Sequence, residues 1–221
     1  MSDTDSFIEE VTEEVRRDRL FGMFRRYGWI AGAAVVVIVG GAAWNEWQKA
    51  ERVSAAQDTG DAIFEAIENP DDAARVAALE ALQPNSPEAQ VLVDYLVASH
   101  QLSEGDNAGA AATLKAVSET GTDVPEVYRQ IALYKSLIAN GAETPAAERR
   151  SLLDALAAPG APLSLLAQEQ LALLDIEEGN PDAAIDRLNA IIADAGVTGG
   201  LRNRASQLIV ALGGVPGTAN Q

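Results

Sequence analysis

Few side chains in this sequence are suited to catalysis or to metal binding. The chain of 221 residues has no Cys and a single His, His100. Without Cys there is no thiol nucleophile, no disulfide framework and no Cys-ligated metal site. His100 lies in LVASHQLSEG, near the end of a predicted helix, where a lone imidazole is most often a surface or half-buried residue. We therefore expect no catalytic histidine, no metal site and no cofactor.

The paired carboxylates have a structural interpretation. Asp71-Asp72 and Glu177-Glu178 lie where helices are predicted to begin or end. Negative charge at a helix N-terminus is stabilising by about 0.3–1 kcal/mol, which suits Asp71 and Asp72. A general acid needs a carboxyl group in an apolar cleft, and no pattern here predicts one. The sequence also has no Gly-rich phosphate loop and no nucleophile elbow, so it predicts a protein that is not an enzyme.

Charge and composition narrow the class of partner. Sixteen basic and 33 acidic residues give a net charge of −17, which repels phosphate backbones and argues against nucleic-acid binding. An acidic protein favours basic or unfolded polypeptides as partners instead.

The composition predicts the fold class. Apolar residues make up 48% of the chain but aromatic residues only 5%. Because the apolar residues are mostly Ala, Leu, Val and Ile, we expect helices packed closely on helices, an all-α fold.

An uncharged segment near the N-terminus predicts a transmembrane helix. The segment YGWIAGAAVVVIVGGAAWN begins at Tyr27, and the 18 residues to Trp44 would form about 27 Å of helix. A bilayer core is roughly 30 Å thick. Trp29 at one end and Trp47 at the other suit the two membrane interfaces. We assign the membrane span to residues 27–47.

Two alternatives to an uncleaved anchor remain open. The segment could be the core helix of a soluble domain, or a signal peptide cleaved near Gly-Gly-Ala-Ala at 40–43. Signal peptides usually have a shorter apolar stretch and a shorter leader than the 26 residues found here. We therefore favour an uncleaved signal anchor.

Basic residues predict the orientation of the span. Five Arg residues lie within 11 residues before Tyr27, whereas only Lys49 and Arg52 lie within 20 residues after Trp47. The positive-inside rule then places the tail, 1–26, in the cytoplasm. The domain at 48–221 is outside, in the periplasm if the cell is a Gram-negative bacterium. In the tail, apolar side chains fall on two different arcs, which favours two short helical pieces over one continuous helix. An equal alternative is a tail with little structure that only orients the span.

Small residues in the span predict a helix-packing face. Gly28, Gly32 and Gly40 recur at multiples of four residues, and Gly28-x-x-x-Gly32 is a close-packing motif of membrane helices. The contact could be with a partner helix or with a second copy of the chain. The sequence leaves the oligomeric state open.

After the span, Pro and Gly separate a series of predicted helices. No stretch shows sustained period-2 alternation, so no strand is expected. The predicted helices are 46–68, 71–82, 87–103, 107–119, 125–139, 145–157, 163–178, 181–195 and 200–212.

An internal repeat organises these helices. EGDNAGAAATLKAV at 104–117 and EGNPDAAIDRLNAI at 178–191 are similar at an offset of 74 residues, and Gly141 lies between them. Half of 74 is 37, close to the 34 residues of one helix pair in tetratricopeptide repeats. We expect three helix pairs in one register, with Leu114 and Leu188 filling the seam within their pairs. The Trp-x-x-Leu-Gly signature is absent, and the middle repeat is degenerate.

The first helix of each pair is expected to line a concave binding surface. Tyr95, Tyr128, Arg129 and Tyr134 lie on such helices and are our candidate groove residues. Tyrosine supplies a large contact area and a hydrogen bond at low entropic cost. Tyr134 has an alternative role in the core, because it is in register with Ala98 and Ala172. The same alternative is open for Tyr95 and Tyr128.

The layout resembles the ancillary subunit of the bacterial Sec translocon, the YfgM-like family. The resemblance runs from about Glu10 to Gly213 and rests on EEVRRDRLFGMFRRYG at 13–28, the span, ALEALQPNSPEAQVL at 78–92 and the EGD and EGN turns. The repeat domain is also similar to that of a soluble periplasmic coordinator of envelope constriction, which lacks the span. The resemblance implies a tetratricopeptide-like α-solenoid without catalytic residues.

What the resemblance implies about function is an inner-membrane protein that associates with translocon subunits. It would help to hand newly exported chains to periplasmic chaperones. The alternative is a holdase or assembly factor for another cell-envelope complex, independent of Sec.

Overall fold

The computed structural model describes residues 3–217, with side chains for 25–217 other than those of Ala31 and Ala142. Over this part of the chain the protein is all-helical, without a strand, as the composition predicts. The helices are α1 Asp3–Ile67, α2 Asp72–Glu80, α3 Pro87–Ser103, α4 Asn107–Ser118, α5 Glu126–Asn140, α6 Ala146–Leu156, α7 Ser164–Glu177, α8 Pro181–Ala193 and α9 Gly199–Ala211. A 3₁₀ turn, Gly141–Glu143, lies between α5 and α6.

The first helix, α1, is continuous from Asp3 to Ile67. The prediction of two separate helical pieces in the tail is therefore wrong. The arc of apolar residues changes along the tail, but residues 3–26 contain no Pro and a single Gly, Gly22. Helical hydrogen bonds are local, so a change of apolar face does not by itself break a helix.

The candidate membrane span lies in α1. Within the described residues, one helical stretch, Arg25–Ile67, is long and apolar enough to cross a membrane. No residue of its most apolar 18-residue window is buried against the rest of the chain. The chain divides into two compact units between Asp58 and Thr59, so the span predicted at 27–47 belongs to the first unit and α2–α9 belong to the second.

From α2 onward, the predicted and observed helices agree to within two residues at each end. Side-chain caps explain several of the starts. Asp71 accepts a hydrogen bond from the Ala74 N–H at α2, and Asp106 accepts one from the Gly109 N–H at α4. Such caps satisfy backbone donors that have no partner inside the helix.

The seams inside two helix pairs are equivalent, as the repeat predicts. Between α3 and α4, Leu114 is 1% exposed and packs with Ala98 and Ala110. At the same offset of 74 residues, Leu188 is fully buried between α7 and α8 with Ala172 and Ala184. Small side chains on facing helices let the two backbones approach, and the leucine fills the remaining space.

Three helices end in the same hydrogen-bonded turn. Gly105 after α3, Gly179 after α7 and Gly213 after α9 have φ of 79°, 79° and 81°. In each turn the residue after the Gly donates its N–H to a carbonyl five residues earlier, at 2.8, 2.8 and 2.9 Å. This is the Schellman motif, which requires a positive φ and so favours Gly. The end of α9 thus repeats the ends of α3 and α7.

The middle pair, α5 and α6, departs from this pattern. Gly141 has φ 47° and ψ −127°, and the 3₁₀ turn follows it directly. Helix α5 packs closely on α4 but only sparsely on α6. The apolar cluster that joins this part of the domain instead includes Leu137 of α5, Leu153 of α6 and Leu171 of α7.

Candidate protein-interaction site

Exposed apolar side chains recur at one position of the first helices. Leu102, Ile138 and Val210 each lie three residues before a positive-φ Gly, and they are 40%, 49% and 62% exposed. The equivalent residue of α7, Ile176, is half-buried against the apolar cluster around Leu188. Single exposed aliphatic residues are ordinary on protein surfaces. The same register on α3, α5 and α9 is what makes these three a candidate site.

A small cleft lies beside one of these side chains. Ile138 of α5 and Leu173 of α7 line a cavity of about 110 Å³, together with Glu177. Leu173 is also exposed, at 38%. Arg149, which is paired with Glu177 at 2.6 Å, also lines this cleft, so the cleft presents two aliphatic side chains next to an ion pair.

Tyr95 joins α3 to α5 by a hydrogen bond. Its hydroxyl donates to the main-chain carbonyl of Tyr128 at 2.7 Å, and Lys135 Nζ lies 5.6 Å from its ring centroid. Burial, with a smaller contribution from the charge of Tyr128, raises the pKa of Tyr95 to about 12. Tyr95 thus has a structural role between two first helices.

The other candidate groove residues differ in exposure. Tyr128 is 44% exposed. Arg129 is half-buried, and its Nε has no hydrogen-bond partner among the described residues. Tyr134 is half-buried against the cluster that contains Leu137, and burial raises its pKa. Of these side chains, that of Tyr128 is the most accessible to a partner.

Acidic residues of α7 are held by arginines on the neighbouring helices. Asp175 is 4% exposed and accepts hydrogen bonds from Arg150 of α6 at 2.8 Å and Arg187 of α8 at 3.0 Å. Glu169, 5% exposed, forms a two-bond pair with Arg204 of α9, at 2.7 Å for each bond. These buried carboxylates are fully paired, so they stabilise helix packing and supply no free acid or base.

The exposed acidic pairs also have structural partners. Arg149 donates to Glu177 at 2.6 Å and lowers the pKa of that carboxyl group. Arg150 donates to Glu178 at 2.7 Å. Asp72 pairs with Arg75 in the first turns of α2.

His100 and the acidic residues form no metal site in the described part of the chain, where no group of three possible ligands occurs. His100 is half-buried near the end of α3.

The three glycines of the candidate packing face lie in the span. A Cβ at Gly28, Gly32 or Gly40 would meet no described atom within 4 Å. In the single chain, no described side chain therefore packs against this face.

Sequence reasoning missed Leu102, Ile138 and Val210. A signal was present, because each is a large aliphatic residue three positions before a helix-ending Gly. To recognise this signal, one has to place Gly213 in the same register as Gly105. The positive φ of Gly213 at the end of α9 establishes that register.

Comparison with protein families assigns the chain to one of them. The model of the family described as Protein of unknown function (DUF2659) matches residues 3–212. The chain belongs to this family. The match covers α1 and all the helices that follow it, up to the last residue before the Gly213 turn. No curated protein and no solved structure matches the chain.

Proposed function

We propose that this protein is a non-enzymatic scaffold of the inner membrane, similar to the ancillary subunit of the Sec translocon. In this proposal α1 anchors the chain with its N-terminus in the cytoplasm. Helices α2–α9 form a tetratricopeptide-like solenoid in the periplasm. The solenoid binds translocon subunits and exported chains or periplasmic chaperones.

The observation that carries this proposal is the recurring exposed apolar residue on the first helices. Gly105, Gly141, Gly179 and Gly213 are spaced at 36, 38 and 34 residues, close to the length of one helix pair. Stacked pairs in one register would bring Leu102, Ile138 and Val210 onto a single surface. A surface of several aliphatic side chains suits the apolar segments of an unfolded or partly folded polypeptide.

The electrostatics support a polypeptide partner over the alternatives. Residues 48–221 contain 11 basic and 25 acidic residues, which repel nucleic acid and anionic lipid. The carboxylates most enclosed by the fold, Glu169 and Asp175, are neutralised by arginines. The second unit thus presents apolar contact area in an acidic field.

A pull-down from detergent-solubilised membranes tests the proposal. The full-length chain is compared with a triple variant, Leu102→Ser, Ile138→Ser and Val210→Ser. The control is Ser103→Ala, Ser151→Ala and Gln207→Ala, at positions outside the apolar register. Mass spectrometry should recover translocon subunits with the wild type and the control, and several-fold less with the triple variant.

The alternative function gives a different result in the same experiment. A holdase or assembly factor independent of Sec would recover other envelope-assembly proteins and no translocon subunit. Equal recovery of translocon subunits by the wild type and the triple variant would contradict the proposed binding surface.

Cysteine labelling tests the orientation. In spheroplasts, a membrane-impermeant maleimide should label a Ser54→Cys variant and leave a Ser6→Cys variant unlabelled. The reverse pattern would contradict both the orientation and the periplasmic function.

A further inference from the structure

A cleft on the second-helix side of the domain has no role in the proposed function. It has a volume of about 600 Å³ and lies between α4 and α6, with α5 beneath it. Helices α4 and α6 do not pack closely on each other, and α5 packs only sparsely on α6. The degenerate middle pair therefore leaves a gap in the layer of second helices.

The floor of the cleft is apolar. Leu133 and Leu137 of α5 and Leu152 of α6 line it. Leu137 is 8% exposed, and the other two leucines are half-buried. Ser136 also lines the cleft, but its hydroxyl donates to the Ala111 carbonyl at 2.9 Å, so its single hydrogen-bond donor is already used. The floor thus favours aliphatic side chains from a partner.

The rim of the cleft is acidic and held in place. Glu143 and Glu148 lie on its α6 side and are exposed, and neither forms an ion pair with a described residue. The turn that carries Glu143 is fixed by two hydrogen bonds to Thr144. Asn140 donates to the Thr144 hydroxyl at 2.7 Å, and the Arg149 Nε donates to the Thr144 carbonyl at 3.0 Å.

The opposite rim contributes little net charge. At the end of α4, Nζ of Lys115 lies 3.7 Å from Oε1 of Glu119, the residue that follows the helix, and both side chains are exposed. Because the two charges offset each other, the net charge of the lining side chains is that of Glu143 and Glu148. The cleft therefore has a negative rim on one side and an aliphatic floor.

We propose that this cleft binds a basic amphipathic helix of a protein partner. Its aliphatic side chains would pack on Leu133, Leu137 and Leu152, and its Lys or Arg side chains would pair with Glu143 and Glu148. The volume falls in the range of small-molecule pockets, about 300–1,000 Å³, so the cleft has room for a few side chains from one face of a helix. Such a helix would fill the gap between α4 and α6 in the manner of a helix-in-groove complex.

The charge of the site selects this occupant over others. A second copy of this chain has a net charge of −17 and would be repelled by the acidic rim, as would nucleic acid and anionic lipid. A basic helix gains from both the rim and the floor. This site is separate from the apolar register of the first helices, so it does not depend on the proposed function.

The test uses the full-length chain in zwitterionic detergent and a fluorescent synthetic peptide. The peptide has about five helical turns, with Leu at i, i+3, i+4 and i+7 positions on one face and Lys beside them. A second peptide carries Glu in place of every Lys. Fluorescence anisotropy measures binding, and empty micelles give the blank. We expect the Lys peptide to bind at least about tenfold more tightly than the Glu peptide.

A matched pair of charge reversals locates the site. Glu143→Lys with Glu148→Lys reverses the rim. Glu104→Lys with Asp182→Lys makes the same change of charge at the equivalent turn and first helical turn of other pairs. The rim variant should weaken binding about tenfold or more, and the control variant less than about threefold. An equal loss in both would show attraction to the overall charge only and would overturn the proposal.

Filling the cleft gives a second test that does not depend on charge. Ser118→Trp places a ring in the cleft, whereas Ser151→Trp adds the same ring at an exposed position of α6 outside it. Binding should be lost in Ser118→Trp and retained in Ser151→Trp, with circular dichroism confirming the fold of both. Unchanged binding in Ser118→Trp would overturn the proposal. The Ile138→Ser variant should bind the peptide normally, which separates this site from that of the proposed function.

Discussion

Two helix pairs have equivalent seams between their own two helices, but each pair is joined to its neighbours by different interactions. Leu114 in α3–α4 and Leu188 in α7–α8 are buried at equivalent positions, 74 residues apart. Around α3 the links to α5 are a tyrosine hydroxyl and a lysine over its ring. Around α7 the links to the neighbouring pairs are buried carboxylates, which are paired with arginines of α6 and α9.

The difference shows which contacts repetition maintains. Within a pair, the two helices must approach closely, so small residues and one leucine recur at fixed spacing. Between pairs, many combinations of side chains can fill the interface, so each interface uses different residue types. The nearest-neighbour interfaces of a repeat array can therefore differ in chemistry while the repeat itself keeps its backbone geometry.

Truncation of the seam leucines should have the largest effect. Leu114→Ala and Leu188→Ala each remove a buried side chain and leave a cavity, at a cost of about 2–5 kcal/mol. Hydrogen exchange on the full-length chain should show the loss of protection mainly in α3–α4 for the first and in α7–α8 for the second. Tyr128→Ala should have little effect on stability. Neutral leucine variants together with an unfolded Tyr128→Ala variant would break the equivalence of the two seams.

Removal of the Arg204 side chain should lower the free energy of unfolding, because this arginine joins α9 to α7. Glu169 would remain buried without its partner, and leaving a buried charge unpaired costs about 3–5 kcal/mol. Because Arg204 is itself about half exposed, we expect a smaller loss of about 2–3 kcal/mol. Denaturant unfolding of Arg204→Ala measures it.

Two variants control this prediction. Arg202→Ala, an exposed residue of the same helix, should change stability by no more than about 0.5 kcal/mol. The double variant Glu169→Gln with Arg204→Ala should recover part of the loss. Equal effects of Arg202→Ala and Arg204→Ala would mean that the buried pair contributes nothing to the difference between the two halves.

The three Schellman turns should respond equally to loss of Gly. Ala at Gly105, Gly179 or Gly213 meets no atom within 4 Å, so the cost is that of a positive φ alone, about 1–2 kcal/mol. Gly121→Ala, where space is open and φ is not positive, should cost less than about 0.5 kcal/mol. Thermal unfolding measures all four variants. A markedly smaller cost at Gly213 would separate α9 from the first helices of the array.

The smallest expected effect is a loss of stability at alkaline pH that comes from Tyr95 of α3. The pKa of Tyr95 is about 12 in the folded chain, whereas an unfolded tyrosine ionises near pH 10. Above pH 10 the unfolded state therefore releases its proton first, and this contribution to stability is lost as the pH rises toward 12. Unfolding measured against pH should show a shallower decline in Tyr95→Phe. An unchanged slope would mean that Tyr95 is not protected in the fold.

Sequence reasoning recovered the local features of this molecule and missed those that depend on packing. Gly, Pro and capping residues such as Asp106 act on the adjacent backbone, so helix bounds from α2 onward were predictable. The internal repeat also placed Leu114 and Leu188 in the seam. The continuity of α1 does not follow from its apolar arcs, because helical hydrogen bonds are local and a change of apolar face does not break them.

Contacts between helices could not be obtained in the same way. Glu169 and Arg204 lie 35 positions apart, and nothing in their local sequence marks them as partners. The hydrogen bond from Tyr95 to Tyr128 and the cleft beside Glu148 depend on the angle at which α5 meets its neighbours. The repeat pattern gives no guidance on that angle, because the pair α5 and α6 is degenerate.

Site-specific photocrosslinking from the first-helix register tests the central claim most directly. A photoreactive phenylalanine analogue is placed at Ile138 in the full-length protein in living cells, with Ser151 as the control position. We predict crosslinks from Ile138 to translocon subunits or to exported chains, and none of these from Ser151. Crosslinks that are absent at Ile138, or the same at both positions, would contradict a binding surface formed by the first helices.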